Sequence, residues 1–192
     1  MIGFGVSLIF ENHYNIDNDN ASYDMMTIDY EYTLFDGATG QNGFLSVGYN
    51  SMISTDFNTY PSAAEYITTC ARNFVTVDAF NDEIVDIGLL KDEMDFVINK
   101  FPSLRDEIDW MDPARVACYS ANIYKFDQNP ELLVRLLGTN EFIIVFANED
   151  NRGVGIGFSI EDAMVNQLRW GGNMPGGTLM RLRDLYKTEM MK

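Results

Sequence analysis

A chain of 192 residues with 13 basic against 29 acidic side chains, a formal charge of −16, is ill suited to gripping long DNA or RNA, because counterion release cannot reward a surface of the same sign as the phosphates. With 46% hydrophobic and 13% aromatic residues it can bury one core without staples, and its length suits one domain rather than two. The lone histidine, His13, excludes His-cluster metal chemistry and disfavours a Ser-His-Asp triad, and Cys70 and Cys118 lack the CxxC spacing of a zinc site.

The two cysteines read as buried, reduced thiols. No stretch approaches the ~20 consecutive apolar residues of a membrane helix, and residues 1–5 (MIGFG) lack the basic and long apolar regions of a signal peptide. The expectation is a cytoplasmic protein without membrane partners. Its acidic excess reads as a solvated surface, with mimicry of nucleic acid as the alternative.

The first sixty residues read as strands and turns. Residues 27–34 (TIDYEYTL) alternate with β-branched and aromatic side chains, 15–20 form a polar loop, and 36–40 (DGATG) carry a turn signal. From Pro61 the pattern turns helical: Ser62-Ala63-Ala64-Glu65 has the capping-box form S-x-x-E, and the run to Phe74 continues it. Residues 82–100 set Ile84, Ile87, Leu90, Met94 and Val97 at three- and four-residue spacing, which predicts one amphipathic helix with an acidic outer face.

Residues 113–126 predict another helix. Asn129-Pro130-Glu131 starts the next, striped by Leu132, Leu133, Leu136 and Leu137 and closed by Gly138. Residues 142–147 (FIIVFA) are too short and too β-branched for a helix and read as a buried strand, with 153–158 (GVGIGF) as its neighbour. A last helix runs from about Gly176 to Met190. The fold class so predicted is α+β, mainly helical: a single domain over 1–192 with helices packed around a small sheet, and no internal repeat or linker.

Several short motifs follow one another in a recognisable order. Residues 171–183 read GGNMPGGTLMRLR, which resembles the G-x-N-x-L-G-x-x-L-M-x-x-R block of the NADAR family except that Pro175 stands where Leu is usual. Lys125 with Gln128-Asn129-Pro130 and then Leu136-Leu137-Gly138-Thr139 resembles that family's K-x-x-Q-N-P…L-L-x-T segment. Asp150 followed by Arg152-Gly153-Val154-Gly155 is similar to its D…W-G-x-G, with Arg152 in place of Trp. Gly43-Phe44-Leu45-Ser46 resembles G-x-x-S-N-F with Val47 for the Asn, and Tyr60-Pro61-Ser62 resembles the Y-P-S that precedes a Glu and, seven residues on, a Lys. The resemblance covers about residues 43–185.

What it implies is chemistry on the N-glycosidic bonds of ribose-phosphate and ADP-ribose compounds; no cofactor is expected, and the histidine and cysteine content points to no metal. In the family the helix reads S-x-E, whereas here Ser62 is followed two residues on by Ala64; one inserted residue brings Glu65 and Arg72 to the family's spacing, two helical turns apart on one face. The resemblance implies a lysine nucleophile at the basic position. Arg72 cannot form a Schiff base, so Lys125 stands as the alternative amine.

For single residues two readings stay open. Glu65 is either half of a capping box or the carboxylate that meets positive charge on the ribose. Asp150 is a turn residue or a second carboxylate in a site-lining loop, and Arg72 a solvated residue or a phosphate contact. Asn173 and Gly176 open the last helix, where backbone N–H groups could approach an anion, although Asn173 could equally be only a cap. Trp170 and Tyr49 could stack on a base or simply pack. Arg183, two turns beyond Gly176, reads as an anchor of its helix. Gly153, Gly155 and Gly157 do not form a dinucleotide fingerprint.

Two functions follow. One is an N-glycosidase hydrolysing an ADP-ribose- or ribose-phosphate-linked nucleotide or base, such as ADP-ribosyl-guanine, with a pocket between the Pro61 helix, the Asp150 loop and the start of the Gly176 helix. The other is a catalytically impaired protein that keeps the pocket and sequesters an ADP-ribose-type nucleotide. Either way the partner is a small nucleotide or an ADP-ribosylated base rather than long nucleic acid.

Overall fold

The computed structural model describes residues 31–77, 83–85, 87–107 and 112–192. His13, the polar loop at 15–20 and the first part of the strand predicted at 27–34 lie outside them. The chain is α+β and mainly helical, as its periodicities indicate.

Strand β1 (Tyr32–Phe35) pairs in parallel with β6 (Ile143–Phe146), Tyr32 opposite Ile143 and Phe35 opposite Phe146. A parallel pair needs a crossover, and four of the six α-helices among the described residues lie in it. Two short antiparallel ladders also lie in it: β2 (Ile53–Ser54) with β3 (Thr59–Tyr60), and β4 (Val75–Val77) with β5 (Glu83–Val85). The helices are α1 (Ala63–Phe74), α2 (Ile87–Lys100), α3 (Pro113–Gln128), α4 (Pro130–Leu137), the short α5 (Ile160–Ala163) and α6 (Met174–Met190). A 3-10 turn, Met164–Arg169, prolongs α5.

Helix α3 is the axis of the molecule. Asp112 caps it by accepting from the Ala114 and Arg115 N–H groups at 3.1 and 3.2 Å, and Pro113 occupies the first turn. That is the position where a missing N–H costs nothing. Its buried length runs from Val116 to Phe126 and packs against α1, α2, α4 and α6. The main core gathers Phe35, Phe44, Phe101, Ile123, Phe126, Ile144 and Leu182; a second, around Ile53, Ala63, Leu90 and Val116, joins α1 to α3. A third, Val145, Ala147, Ile156 and Ala163, covers the other face of β6. A strand buried on both faces needs an unbroken apolar run, and this is why Ile143–Phe146 shows no alternation.

Two predicted elements need correction. The helix expected over 82–100 begins at Ile87, because residues 83–85 pair with Val75–Val77 instead. Residues 153–158 are a chain of turns and not a strand. They do follow β6, since Ile156 N–H donates to the Phe146 carbonyl at 3.1 Å and Gly157 N–H to that of Asn148 at 2.9 Å. However, the Asn151 side chain accepts from Gly153 and Val154 N–H and curls the chain, and Gly157 is left-handed at φ +79°, which breaks any ladder. Cys70 and Cys118 are buried and unpaired. No helix among the described residues is long and apolar enough to cross a membrane.

Candidate functional site

The parallel pair β1–β6 ends, at its carboxyl side, on a cavity of about 190 Å³. Four segments close it: Ser46 and Val47 after the 3-10 turn Gly43–Leu45, Ile67 of α1, Val154 of the loop beyond β6, and Met174 and Pro175 at the start of α6. Phe35, Phe146 and, from α3, Ala114 and Cys118 complete the wall, which is almost wholly apolar. Burial pushes the Cys118 thiol up to about 11, against weaker opposing bonds from Thr178 and Asn122, so it stays protonated and serves as wall. Ligands of open α/β sheets gather in this place, outside the carboxyl ends of the strands.

Glycines and one asparagine set the walls this close. A Cβ on Gly176 would run into the Ile144 carbonyl, and one on Gly171 or Gly172 into the carbonyls of Arg152 or Gly153. In the resulting seam Gly171, Gly172 and Met174 N–H groups donate to the Ile156, Arg152 and Val154 carbonyls at 2.9, 2.8 and 3.0 Å. Asn173 stands at the N-cap of α6, yet its side chain does not cap the helix. Instead its amide donates to Ile144 O at 2.8 Å while its oxygen accepts from Phe146 N–H at 2.9 Å. Both ends of the amide are thereby spent on β6, a role foreseen by neither reading of the residue. Gly176 is a close-approach glycine of the same joint.

The candidate residues are distributed as follows. Glu65 and Arg72 are both exposed on α1. Ser62 Oγ accepts from Glu65 N–H at 3.4 Å, one half of the predicted capping box. At about 100° per residue Glu65 lies about 160° around the helix from cavity-lining Ile67, whereas Ala64 and Ala71 lie about 60° and 40° from it. Ala64 N–H donates to the carbonyl of Val47, a wall residue, at 2.8 Å. Thus Glu65 and Arg72 share one face, and α1 meets the cavity through Ile67 instead. Asp150 is exposed in the same loop as Val154, just past the end of β6.

Lys125 is fully buried in α3. Its Nζ donates to Phe44 O at 2.6 Å and Ser46 O at 2.8 Å, with the Tyr49 ring 5.8 Å away. Burial, with a smaller push from the Arg135 charge, lowers its pKa to about 7. It therefore ties α3 to the turn that carries Ser46 and Val47. Half-buried Tyr49 packs on the main core. Trp170 lies edge-on to Tyr32 at 5.7 Å, and its indole N–H donates to Ala163 O at 2.8 Å. Arg152, standing in the Trp position, bonds Arg169 O at 2.8 Å. Arg183 is buried and bonds Thr139 and Phe142 O at 3.0 and 2.8 Å, anchoring α6 as expected.

The cavity thus lies where the Pro61 helix, the Asp150 loop and the start of α6 meet, and besides Ser46 its lining includes several neighbours of the motif residues: Val47 next to Ser46, Val154 between Gly153 and Gly155, Met174 and Pro175 between Asn173 and Gly176. Among the described residues, no group of His, Cys, Asp and Glu side chains is arranged to hold a metal ion.

The family model described as NADAR domain matches residues 34–186. An N-glycosidase of Acanthamoeba polyphaga mimivirus is 38% identical over 65 residues, which span 33% of this chain and 38% of that relative. The NMR structure of the E. coli protein YbiA is similar with a TM-score of 0.53 at 21% identity, covering 84% of this chain and 88% of that one. This likeness carries the fold and extends over most of both chains.

Proposed function

The chain belongs to the NADAR family, and from that premise we propose that it is an N-glycosidase acting on a ribose-phosphate- or ADP-ribose-linked base. The observation that carries this reading is the meeting of four motif-bearing segments at one cavity beyond the carboxyl ends of β1 and β6. The mimivirus relative, named as an N-glycosidase, supports the same chemistry.

The cavity is small beside the roughly 300–1,000 Å³ of sites that enclose a whole ligand, and its apolar wall suits the flat face of a base. The base then enters the cavity and the ribose stays at its mouth, with the phosphates in solvent. There Asp150, past the end of β6, offers the carboxylate that stabilises the oxocarbenium-like state while water attacks the anomeric carbon. Glu65 and Arg72 sit on the flank of α1 turned from Ile67. Lys125 positions the Ser46–Val47 wall.

A second reading, sequestration of an ADP-ribose-type nucleotide without turnover, is favoured by one observation: α1 meets the cavity through apolar Ile67 and brings no carboxylate into its lining. Chromatography of reaction mixtures with an ADP-ribosylated guanine nucleoside and with a ribose-phosphate N-glycoside decides between them. The glycosidase reading expects free base in excess over protein. Retention of one ligand per chain with no free base moves the function to sequestration, and neither release nor retention overturns both.

A further inference from the structure

A second cavity, of about 360 Å³, lies on another face of α1, between that helix, α2 and the β2–β3 hairpin. Its lining combines the aromatic Tyr60, Tyr66 and Tyr124 with the acidic Asp56, Asp92 and Glu93. No lysine or arginine is among the described residues that line it. The aromatic side is held firmly, since Tyr66 stands edge-on to Tyr60 at 5.3 Å and to Tyr124 at 5.4 Å, and Tyr124 stacks on Phe96 at 4.3 Å.

Two atoms of this cavity lack what burial demands. Tyr66 is only 3% exposed, and although its hydroxyl lies beside the Glu93 carboxylate, neither that hydroxyl nor the buried Oε2 of Glu93 makes a well-formed hydrogen bond. Buried polar atoms are nearly always paired, and an unpaired carboxylate oxygen is among the costliest exceptions. The surroundings register this negative charge. Burial first and Glu93 second hold the Tyr66 hydroxyl protonated far above its usual range, push the Cys70 thiol up to about 11 and push Tyr124 up to about 12. Near neutral pH these three groups stay uncharged and add no negative charge to that of the carboxylates.

A group supplying several N–H donors and a positive charge would satisfy both orphan atoms, and the faces of tyrosine rings attract such a charge. The acidic side chains of the described residues do not form a metal-holding group, which favours an organic ion over a bare metal. We propose that this cavity binds an organic cation of the alkylamine or guanidinium class, which donates to Glu93 Oε2 and Tyr66 Oη and lies against the tyrosine wall.

Isothermal titration of the full chain with putrescine and with agmatine, at ~0.15 M salt to screen the general surface charge, tests this. The neutral diol 1,4-butanediol is the control. The expected result is saturable binding of one cation per chain for at least one of the two amines, no binding of the diol, and affinity weakened about tenfold or more in both Glu93→Gln and Tyr66→Phe, the usual scale for a lost bond to a charged group. Asp95→Asn, on the exposed side of α2, leaves the affinity unchanged. Tyr66→Phe removes one oxygen and keeps the ring packing, so it reports on binding even where Glu93→Gln perturbs folding. No saturable binding of either amine, or equal binding in wild type and both variants, overturns the proposal.

Discussion

Gly176 of α6 lies so close to the Ile144 carbonyl of β6 that no side chain fits between them. One turn earlier Asn173 ties the same two elements together through Ile144 O and Phe146 N–H. The joint between helix and strand therefore depends on a missing Cβ and one amide, and it sets how near Met174 and Pro175 come to Phe35 and Phe146 across the cavity.

Gly176→Ala must push α6 away from β6, so it is expected to cost about 1–3 kcal/mol, the usual range for overpacking, and to lower Tm by roughly 3–10 °C. Gly177 has open space where its Cβ would stand. There Gly177→Ala is expected to gain about 0.5–1 kcal/mol, since glycine is a poor helix interior residue. Thermal unfolding of the two variants is the measurement, and shifts of the same sign would count against the close-approach account.

Lys125 gives a signature in pH. Its folded pKa of about 7 lies below the value of roughly 10.4 for an unfolded lysine. Between these limits the unfolded chain holds more protons than the folded one, so stability rises with pH in that window and is insensitive to this group below it. The difference in Tm between wild type and Lys125→Met is therefore expected to move in favour of wild type from about pH 7 to pH 10. A difference that stays flat across that range sinks the account of Lys125 as a buried, half-neutral strut.

Much of the fold could be read from local sequence, and the exceptions share one cause. Helix α3 was legible over 113–126, and α4 through Asn129-Pro130 and its leucine stripe. The strand at Ile143–Phe146 shows as a β-branched run. Residues 83–85 were legible only as helix because Ile84 fits the helical period, while their pairing with Val75–Val77 is a contact between segments. Residues 153–158 alternate like a strand, but the Asn151 side chain and the left-handed Gly157 bend them into turns. The motifs told which segments would meet at the cavity beyond β6. They could not fix the rotation of α1, because one residue of register turns a helix by about 100° and the bond from Ala64 to Val47 sets it. The cavity of Tyr66 and Glu93 joins α1 to α2 and left no local trace.

The rotation of α1 yields the last prediction, which locates the chemistry. Glutamine at position 65 keeps a side chain able to serve the capping box and removes only the charge, so Glu65→Gln is expected to leave base release within about threefold. Asp150→Asn removes the carboxylate proposed at the cavity mouth, and losing such a group costs roughly 10²–10⁴-fold. Ala64→Glu puts a carboxylate on the cavity-facing side of α1 and is expected to raise release. Arg72, exposed on the far flank, tolerates Arg72→Lys without change. Lys125 has its amine committed to two carbonyls, and borohydride in the presence of substrate is expected to leave no mass adduct on it. If instead Glu65→Gln abolishes release while Asp150→Asn does not, or Lys125 is trapped as an adduct, the reacting sugar lies elsewhere than at the mouth of the cavity beyond β6.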